Sequence, residues 1–214
     1  MEDNGSNIII NSYKTLLKYQ EKIKDLYRFT DFRISLDEYG ISLKPILKNK
    51  LFGLSEEGML YSNQFFPWIS PWYGRFYVDQ SYVPEGVNID NCSGENLKYL
   101  AFIWYWVGCN DVHVAPVEQP ECWIGIAKPE PENSSANICD IANGIWSNIR
   151  IRTGKAQNDG WLKGHFVKGR VSLNLNGWYL VKRIPDNQLS DLYQIQTLII
   201  RQLSEKFFKV VNPE

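Results

Sequence analysis

A thiol, a carboxylate and an imidazole occupy alternate positions near the middle of the chain, at Cys109, Asp111 and His113. In an extended strand these side chains would share one face, because alternate residues of a strand point the same way. Such a trio could bind zinc or perform nucleophilic catalysis. The spacing matches no established ligand pattern, so a polar strand end is the favoured interpretation. We predict no metal site and no cofactor.

The densest aromatic segment spans residues 65–77, where seven of thirteen residues are Phe, Trp or Tyr. Pro67 and Pro71 each precede a tryptophan, and proline fixes φ and removes a backbone donor. We therefore expect an irregular segment rather than a helix or an inner strand. Rigid rings on such a backbone suit a pocket wall or an interface anchor. The alternative is that these rings close one end of the core.

Most candidate binding residues belong to this segment or to the apolar run that follows it. They are Trp68, Trp72, Tyr73, Arg75, Trp104 and Trp106. The expected partner at this aromatic surface is a protein or a small molecule.

Charge is distributed unevenly, although the whole chain has a formal net charge of only -1. Residues 150–183 contain eight basic side chains and one acid, whereas residues 79–95 contain four acids and no base. The basic stretch also holds several aromatic rings, so it could stack on single-stranded nucleic acid or bind a phosphorylated ligand. Nucleic acid is the less favoured partner, because the protein as a whole is not basic. The candidate residues here are Lys163, His165, Lys168 and Arg170.

Two amphipathic helices are predicted to position these groups. Apolar residues recur at three- and four-residue steps over 6–29 and again over 189–207. Pro185 and Asp186 precede the second stripe, so we expect the proline to mark its entry and the aspartate to cap it. Both helices have an apolar face that must be covered.

Strand patterns dominate the region between the two helices. Phe32, Ile34 and Leu36 alternate with polar residues ahead of a turn at 37–40, which predicts a hairpin with residues 41–43. Residues 99–107 are apolar at odd and even positions alike, which is typical of a central strand covered on both faces. Further elements are expected at 73–78 and 122–127 (strands), 134–149 (a weak helix) and 161–167, 170–175 and 178–184 (a meander).

These elements predict a single α+β domain over residues 1–214. Its mostly antiparallel sheet would be packed by an N-terminal and a C-terminal amphipathic helix on one side. The composition, 44% hydrophobic and 22% charged, is that of a compact protein and excludes a disordered or low-complexity chain. Aromatic residues are in excess, at 14%.

The same sequence carries expectations about location. The longest apolar run covers residues 99–108 and is too short to span a membrane, and the acidic start lacks the basic region of a secretory signal. We therefore expect a cytoplasmic protein without membrane partners, in which the four cysteines are free thiols. The oligomeric state is left open.

Three functions remain in competition. The favoured one is an intracellular binding or interaction module that uses segment 65–77 together with the opposed charged patches. One alternative is nucleic-acid or nucleotide-phosphate binding through the basic meander 150–183. The other is a small enzyme, metal-dependent or not, that uses Cys109, Asp111 and His113.

Overall fold

The structure of the protein is a computed structural model, which describes the chain in eight segments. These are residues 3–46, 72–89, 92–107, 119–131, 136–148, 155–156, 159–166 and 175–213. Within them, seven strands form one antiparallel sheet in the order β1-β2-β3-β4-β7-β6-β5. The strands are β1 (Leu43–Pro45), β2 (Trp72–Asp79), β3 (Leu100–Trp106), β4 (Glu121–Pro131), β5 (Lys155–Ala156), β6 (Leu162–His165) and β7 (Leu175–Pro185).

Helices cover both faces of this sheet. Helix α1 (Asp3–Ile34) and a C-terminal helical run pack on one face, and α2 (Ile138–Asn148) packs on the other. The C-terminal run consists of α3 (Leu192–Ile195), a π-helical segment (Gln196–Arg201) and α4 (Gln202–Val211). The predicted α+β fold, with both terminal helices on one side of an antiparallel sheet, is confirmed. None of the described helices combines the length and the apolar character that crossing a bilayer requires.

Helix α1 is longer than its predicted range of 6–29. Its 32 residues correspond to a length of about 48 Å at 1.5 Å per residue. Ile23, Tyr27 and Ile34 lie on its buried stripe, each at most 2% exposed. This stripe, at helical spacing, packs α1 against the sheet.

The predicted hairpin at residues 32–43 is wrong. Phe32 and Ile34 belong to α1, and the Phe32 side chain is 62% exposed. Ile34 fits the strand alternation, but it also continues the apolar stripe of α1. Burial of that stripe against the sheet favours the helix. The expected turn follows the helix, with Asp37 and Gly40 both at positive φ, and β1 then pairs with β2 instead.

Strand β3 is the central strand that the continuous apolar run predicts. All seven of its residues are buried, and it pairs with β2 on one side and β4 on the other. Alternate residues therefore point to two different faces. We call the face under α1 and the C-terminal helices the helix face; it includes Tyr73, Arg75, Tyr77, Ile103 and Tyr105. We call the face under α2 the tryptophan face; it includes Phe76, Phe102, Trp104, Trp106 and Trp123.

The expectation that segment 65–77 cannot form an inner strand is wrong for its last six residues. Residues 72–77 belong to β2, which is hydrogen-bonded to β1 and to β3. Pro67 and Pro71 both precede the strand, so neither removes a donor from its ladder. The separate prediction of strands at 73–78, 99–107 and 122–127 is confirmed, as is a shorter form of the helix expected at 134–149.

The C-terminal helix follows its predicted stripe in part. Leu189, Ile199, Leu203 and Phe207 are each at most 1% exposed, but Leu192 is 60% exposed. The cap is Asp191, whose side chain accepts a hydrogen bond from the Gln194 amide, so the prediction that Asp186 caps the helix is wrong. Asp186 instead begins a 3-10 turn, Asp186–Gln188, and its carboxylate accepts a hydrogen bond from the Tyr105 hydroxyl.

The edge of the sheet beyond β7 agrees with the predicted meander where the structure describes it. β6 pairs antiparallel with β7, and β5 pairs with β6. The strand expected at 170–175 lies outside the described residues, apart from Leu175 at the start of β7. Cys92, Cys122 and Cys139 are free thiols, and Cys109 lies outside the described residues.

Candidate ligand-binding cleft

A cavity of about 1100 Å³ lies between α1 and the β1–β2 edge of the sheet. One wall is a face of α1 that includes Ile23, Tyr27 and Asp31, which follow one another at four-residue steps. The opposite wall is formed by β1, by β2 and by residues 83 and 87–89 of the connection that follows β2. We call this cavity the α1 cleft. Its volume is slightly above the usual range for small-molecule sites, about 300–1000 Å³.

The base of the α1 cleft contains a buried ion pair. The Arg75 Nη1 atom lies 2.9 Å from the Asp31 Oδ2 atom, and the two side chains are 6% and 18% exposed. The second carboxylate oxygen, Asp31 Oδ1, accepts a hydrogen bond of 2.9 Å from the Tyr77 hydroxyl. Because both oxygens are engaged, the carboxylate has a fixed orientation and its charge is compensated.

Two tyrosines complete this base. The Arg75 guanidinium carbon lies 5.9 Å from the centre of the Tyr27 ring, within the range of a cation–π interaction. The Tyr27 hydroxyl lies 2.9 and 3.0 Å from the carbonyl oxygens of Tyr73 and Ile103. Burial raises the pKa of Tyr27 and that of Tyr77 well above the usual value, so both hydroxyls remain neutral donors.

The charges that line the α1 cleft are mostly positive. Among the described lining residues, four are bases, namely Lys24, Arg28, Lys44 and Arg75, and one is an acid, Asp31. Arg28 lies 3.5 Å from Asp25, which is outside the lining, and both side chains are well exposed. Neither Lys24 nor Lys44 makes an ion pair with any residue that the structure describes.

The remaining wall is largely apolar. Residues from α1 and from the connection after β2 contribute hydrocarbon surface on opposite sides of the opening: Ile23, Phe32, Val83, Val87 and Ile89. Phe32 is 62% exposed and Val87 is 44% exposed, so both lie at the rim. The α1 cleft thus combines a charged base with apolar sides.

The structure places two of the sequence-predicted binding residues, Tyr73 and Arg75, in the lining of the α1 cleft. Trp104 and Trp106 are buried on the tryptophan face, on the other side of the sheet, so they do not line the same surface. Trp72 is the first residue of β2, and Trp68 lies outside the described residues.

The basic meander is only partly described. Lys163 and His165 are exposed on β6, and the Lys163 ammonium lies 5.3 Å from the centre of the Trp178 ring. Lys168 and Arg170 lie outside the described residues. Nucleic-acid binding through this region therefore stays a prediction.

The thiol–carboxylate–imidazole trio, Cys109, Asp111 and His113, also lies outside the described residues. Within the part of the chain that the structure describes, no group of three or more His, Cys, Asp or Glu side chains is arranged to hold a metal ion. Cys122 is buried on the helix face, and burial raises the pKa of its thiol far above the usual value. Its thiol is accordingly a poor nucleophile in the folded protein.

Sequence reasoning missed Asp31, which proves central to the α1 cleft. A signal was present, because Asp31 follows Ile23 and Tyr27 at four-residue steps and so falls on the apolar stripe of its own helix. A carboxylate on such a stripe indicates a buried cationic partner. Comparison of the chain with protein-family models, with curated proteins and with solved structures finds no match.

Proposed function

We propose that this protein is a binding module that holds a small-molecule ligand in the α1 cleft. The observation that carries the proposal is the juxtaposition of a large cavity with a buried, hydrogen-bonded ion pair, Arg75 and Asp31, at its base. Concave, mostly apolar sites with a few fixed polar groups are the usual form of small-molecule sites. Charged groups in such clefts are frequent at functional positions.

The shape of the α1 cleft favours a small molecule over a protein partner. A protein interface typically buries about 800 Å² per partner on a broad surface, whereas a small ligand is surrounded by its pocket. Here the walls come from α1, β1, β2 and the connection after β2. A ligand between them would contact four separate parts of the chain.

The neutral dye Nile red is a suitable probe of this proposal, because it fluoresces in apolar sites and carries no charge. We expect the wild-type protein to bind it and the double variant Phe32→Ala/Val87→Ala to bind it about fivefold more weakly, since loss of the two contacting apolar side chains together costs about 1 kcal/mol. Both side chains are at the rim and exposed, so the variant should fold normally.

The matched control is Tyr193→Ala, which removes a ring that is 78% exposed and lies outside the lining of the α1 cleft. Its Nile red affinity should equal that of the wild type. Circular dichroism verifies that each variant is folded. Equal affinity of the rim variant and the wild type, or no dye binding by either, would show the proposal to be wrong.

A further inference from the structure

We infer that the ligand of the α1 cleft is an organic anion with an apolar body, recognised by the lysines on its facing walls. This inference rests on the proposed function, because it assigns a chemical class to the ligand of the same cavity. It draws on a separate observation, the balance of charge in the lining.

The charge balance favours an anion over a neutral ligand. Among the ionisable lining side chains that the structure describes, four positive charges face one negative charge. Lys24 and Lys44 come from opposite walls, α1 and β1, and neither is in an ion pair with a described residue. Two ammonium groups on facing walls attract an anion between them, and the attraction is stronger in a cleft than in open water.

The same lining disfavours a cation. In the described part of the lining the carboxylate is that of Asp31, which is already bound through both oxygens, to Arg75 at 2.9 Å and to Tyr77 at 2.9 Å. A cationic ligand would have to compete with Arg75 for that carboxylate and would meet Lys24 and Lys44 on the way in. It would therefore be repelled without gaining a new partner.

An inorganic anion alone would leave most of the cavity unused. Ile23, Val83 and Ile89 offer hydrocarbon surface in a cavity of about 1100 Å³. Burial of apolar surface contributes roughly 25 cal/mol per Å², so an apolar chain or ring attached to the anionic group would add to its affinity. The fitting class is an amphipathic carboxylate or phosphate monoester.

A charge series of ten-carbon probes tests the inference by displacement of Nile red. We expect decanoate to bind about tenfold more tightly than neutral decanol, a difference of about 1.4 kcal/mol, and decylammonium to bind least. Decyl phosphate separates the two sources of the anionic group. Tighter binding of either anion than of decanol supports the inference, and the tighter of the two anions identifies the head group.

Two lysine variants assign the preference to the α1 cleft. Lys24→Ala/Lys44→Ala should abolish most of the preference for decanoate over decanol. The control Lys14→Ala/Lys18→Ala removes the same charge from exposed positions of α1 that do not line the cavity, and it should retain the preference. If both double variants lost the preference for decanoate over decanol equally, the preference would come from the general charge of the protein, and the inference would be overturned.

The failure of this inference can be distinguished from failure of the proposed function. Equal binding of decanoate, decanol and decylammonium would overturn the anion preference and leave the α1 cleft as a binding site. If Nile red bound and neither decanoate nor decyl phosphate displaced it, the anion preference would likewise be wrong. If neither the dye nor any ten-carbon probe bound, both proposals would be wrong.

Discussion

The tryptophan face and the helix face are built from alternate residues of the same strands, yet they are held together by different interactions. On β3, Phe102, Trp104 and Trp106 point to the tryptophan face, whereas Ile103 and Tyr105 point to the helix face. The first set contributes ring-on-ring packing. In the second set, a tyrosine hydroxyl joins the sheet to helix α1.

On the tryptophan face, aromatic side chains of the strands pack against one another. The Phe102 and Trp104 rings stack with centres 4.3 Å apart, and the Phe76 ring meets Trp104 edge-on at 5.7 Å. Glycine permits this packing, because a Cβ atom at Gly125 would lie only 2.0 Å from the Phe102 ring. These rings belong to the same buried cluster as the apolar residues of α2, and we expect their packing to dominate stability.

On the helix face, hydrogen bonds and an ion pair add to the apolar packing that holds α1 against the sheet. The Tyr19 hydroxyl donates to the Tyr105 hydroxyl at 2.9 Å, and Tyr105 in turn donates to Asp186. Lys22 binds the same carboxylate at 2.8 Å. Hydrogen bonds are directional, so they fix where α1 lies along the sheet, which apolar packing alone does less strictly.

Close packing and an open cavity therefore lie on opposite faces of one sheet. The tryptophan face is filled, and the α1 cleft opens on the helix face, where the Arg75–Asp31 pair and the tyrosine bonds hold α1 in position. We expect substitutions on the first face to affect stability most and substitutions on the second to affect helix position and pH response.

The largest effect is expected from Trp104→Ala. Truncation of a fully buried tryptophan removes its packing and leaves a cavity, which lowers the free energy of unfolding by about 3–5 kcal/mol. Urea unfolding followed by circular dichroism measures this loss. The control Tyr193→Ala, at an exposed ring, should stay within about 0.5 kcal/mol of the wild type. A loss below about 1 kcal/mol for Trp104→Ala would contradict the dominance of the tryptophan face.

A smaller loss of about 3 kcal/mol is expected from Asp31→Ala, because this variant leaves the buried Arg75 charge without its partner. The double variant Asp31→Ala/Arg75→Met should recover much of the loss, since it removes both charges. The same unfolding experiment tests both. The exposed pair Arg201 and Glu205 provides a control, in which Glu205→Ala costs less than about 1 kcal/mol. No recovery in the double variant would contradict a buried-charge effect.

The smallest effect at neutral pH, about 1 kcal/mol, is expected from Tyr19→Phe, which removes one hydrogen bond. Its clearer signature is alkaline. Burial raises the pKa of Tyr19 from 10.0 to about 12, so above pH 10 the unfolded chain loses a proton that the folded protein keeps. The stability from Tyr19 is therefore complete below pH 10 and is lost as the pH rises toward 12.

The measurement is the free energy of unfolding between pH 9 and pH 12, where Tyr19→Phe should show a shallower decline than the wild type. The variant Tyr193→Phe, at a side chain that is 78% exposed, serves as its control and should follow the wild-type curve. Parallel curves for Tyr19→Phe and the wild type would show that the Tyr19 hydroxyl is not held in the folded protein.

The sequence predicted correctly those elements whose apolar residues follow one clear local pattern. The run over 99–107 predicts a central strand, and the stripe with Ile23 and Tyr27 predicts α1, because each pattern reflects burial of consecutive neighbours. The hairpin over 32–43 failed since Ile34 fits the strand alternation and the helical stripe at once, and only packing against the sheet selects the helix.

The candidate site was predictable only in part. Tyr73 and Arg75 stood out because they belong to an aromatic segment, but their neighbours in the α1 cleft come from distant parts of the chain. Asp31 lies 44 positions before Arg75 in the sequence, so no local pattern joins them. The cavity also depends on the path of α1 over the sheet, which follows from the sum of many contacts.

The contact between Lys22 and Asp186 joins residues 164 positions apart and has a consequence for synthesis. At about 5–20 residues per second, the ribosome makes the partner of Lys22 on the order of ten to thirty seconds after Lys22 itself. During that interval the apolar stripe of α1 has neither β7 nor the C-terminal helices to cover it. Helix α1 is therefore synthesised before the elements that complete its cover, and part of its apolar stripe is exposed until they emerge.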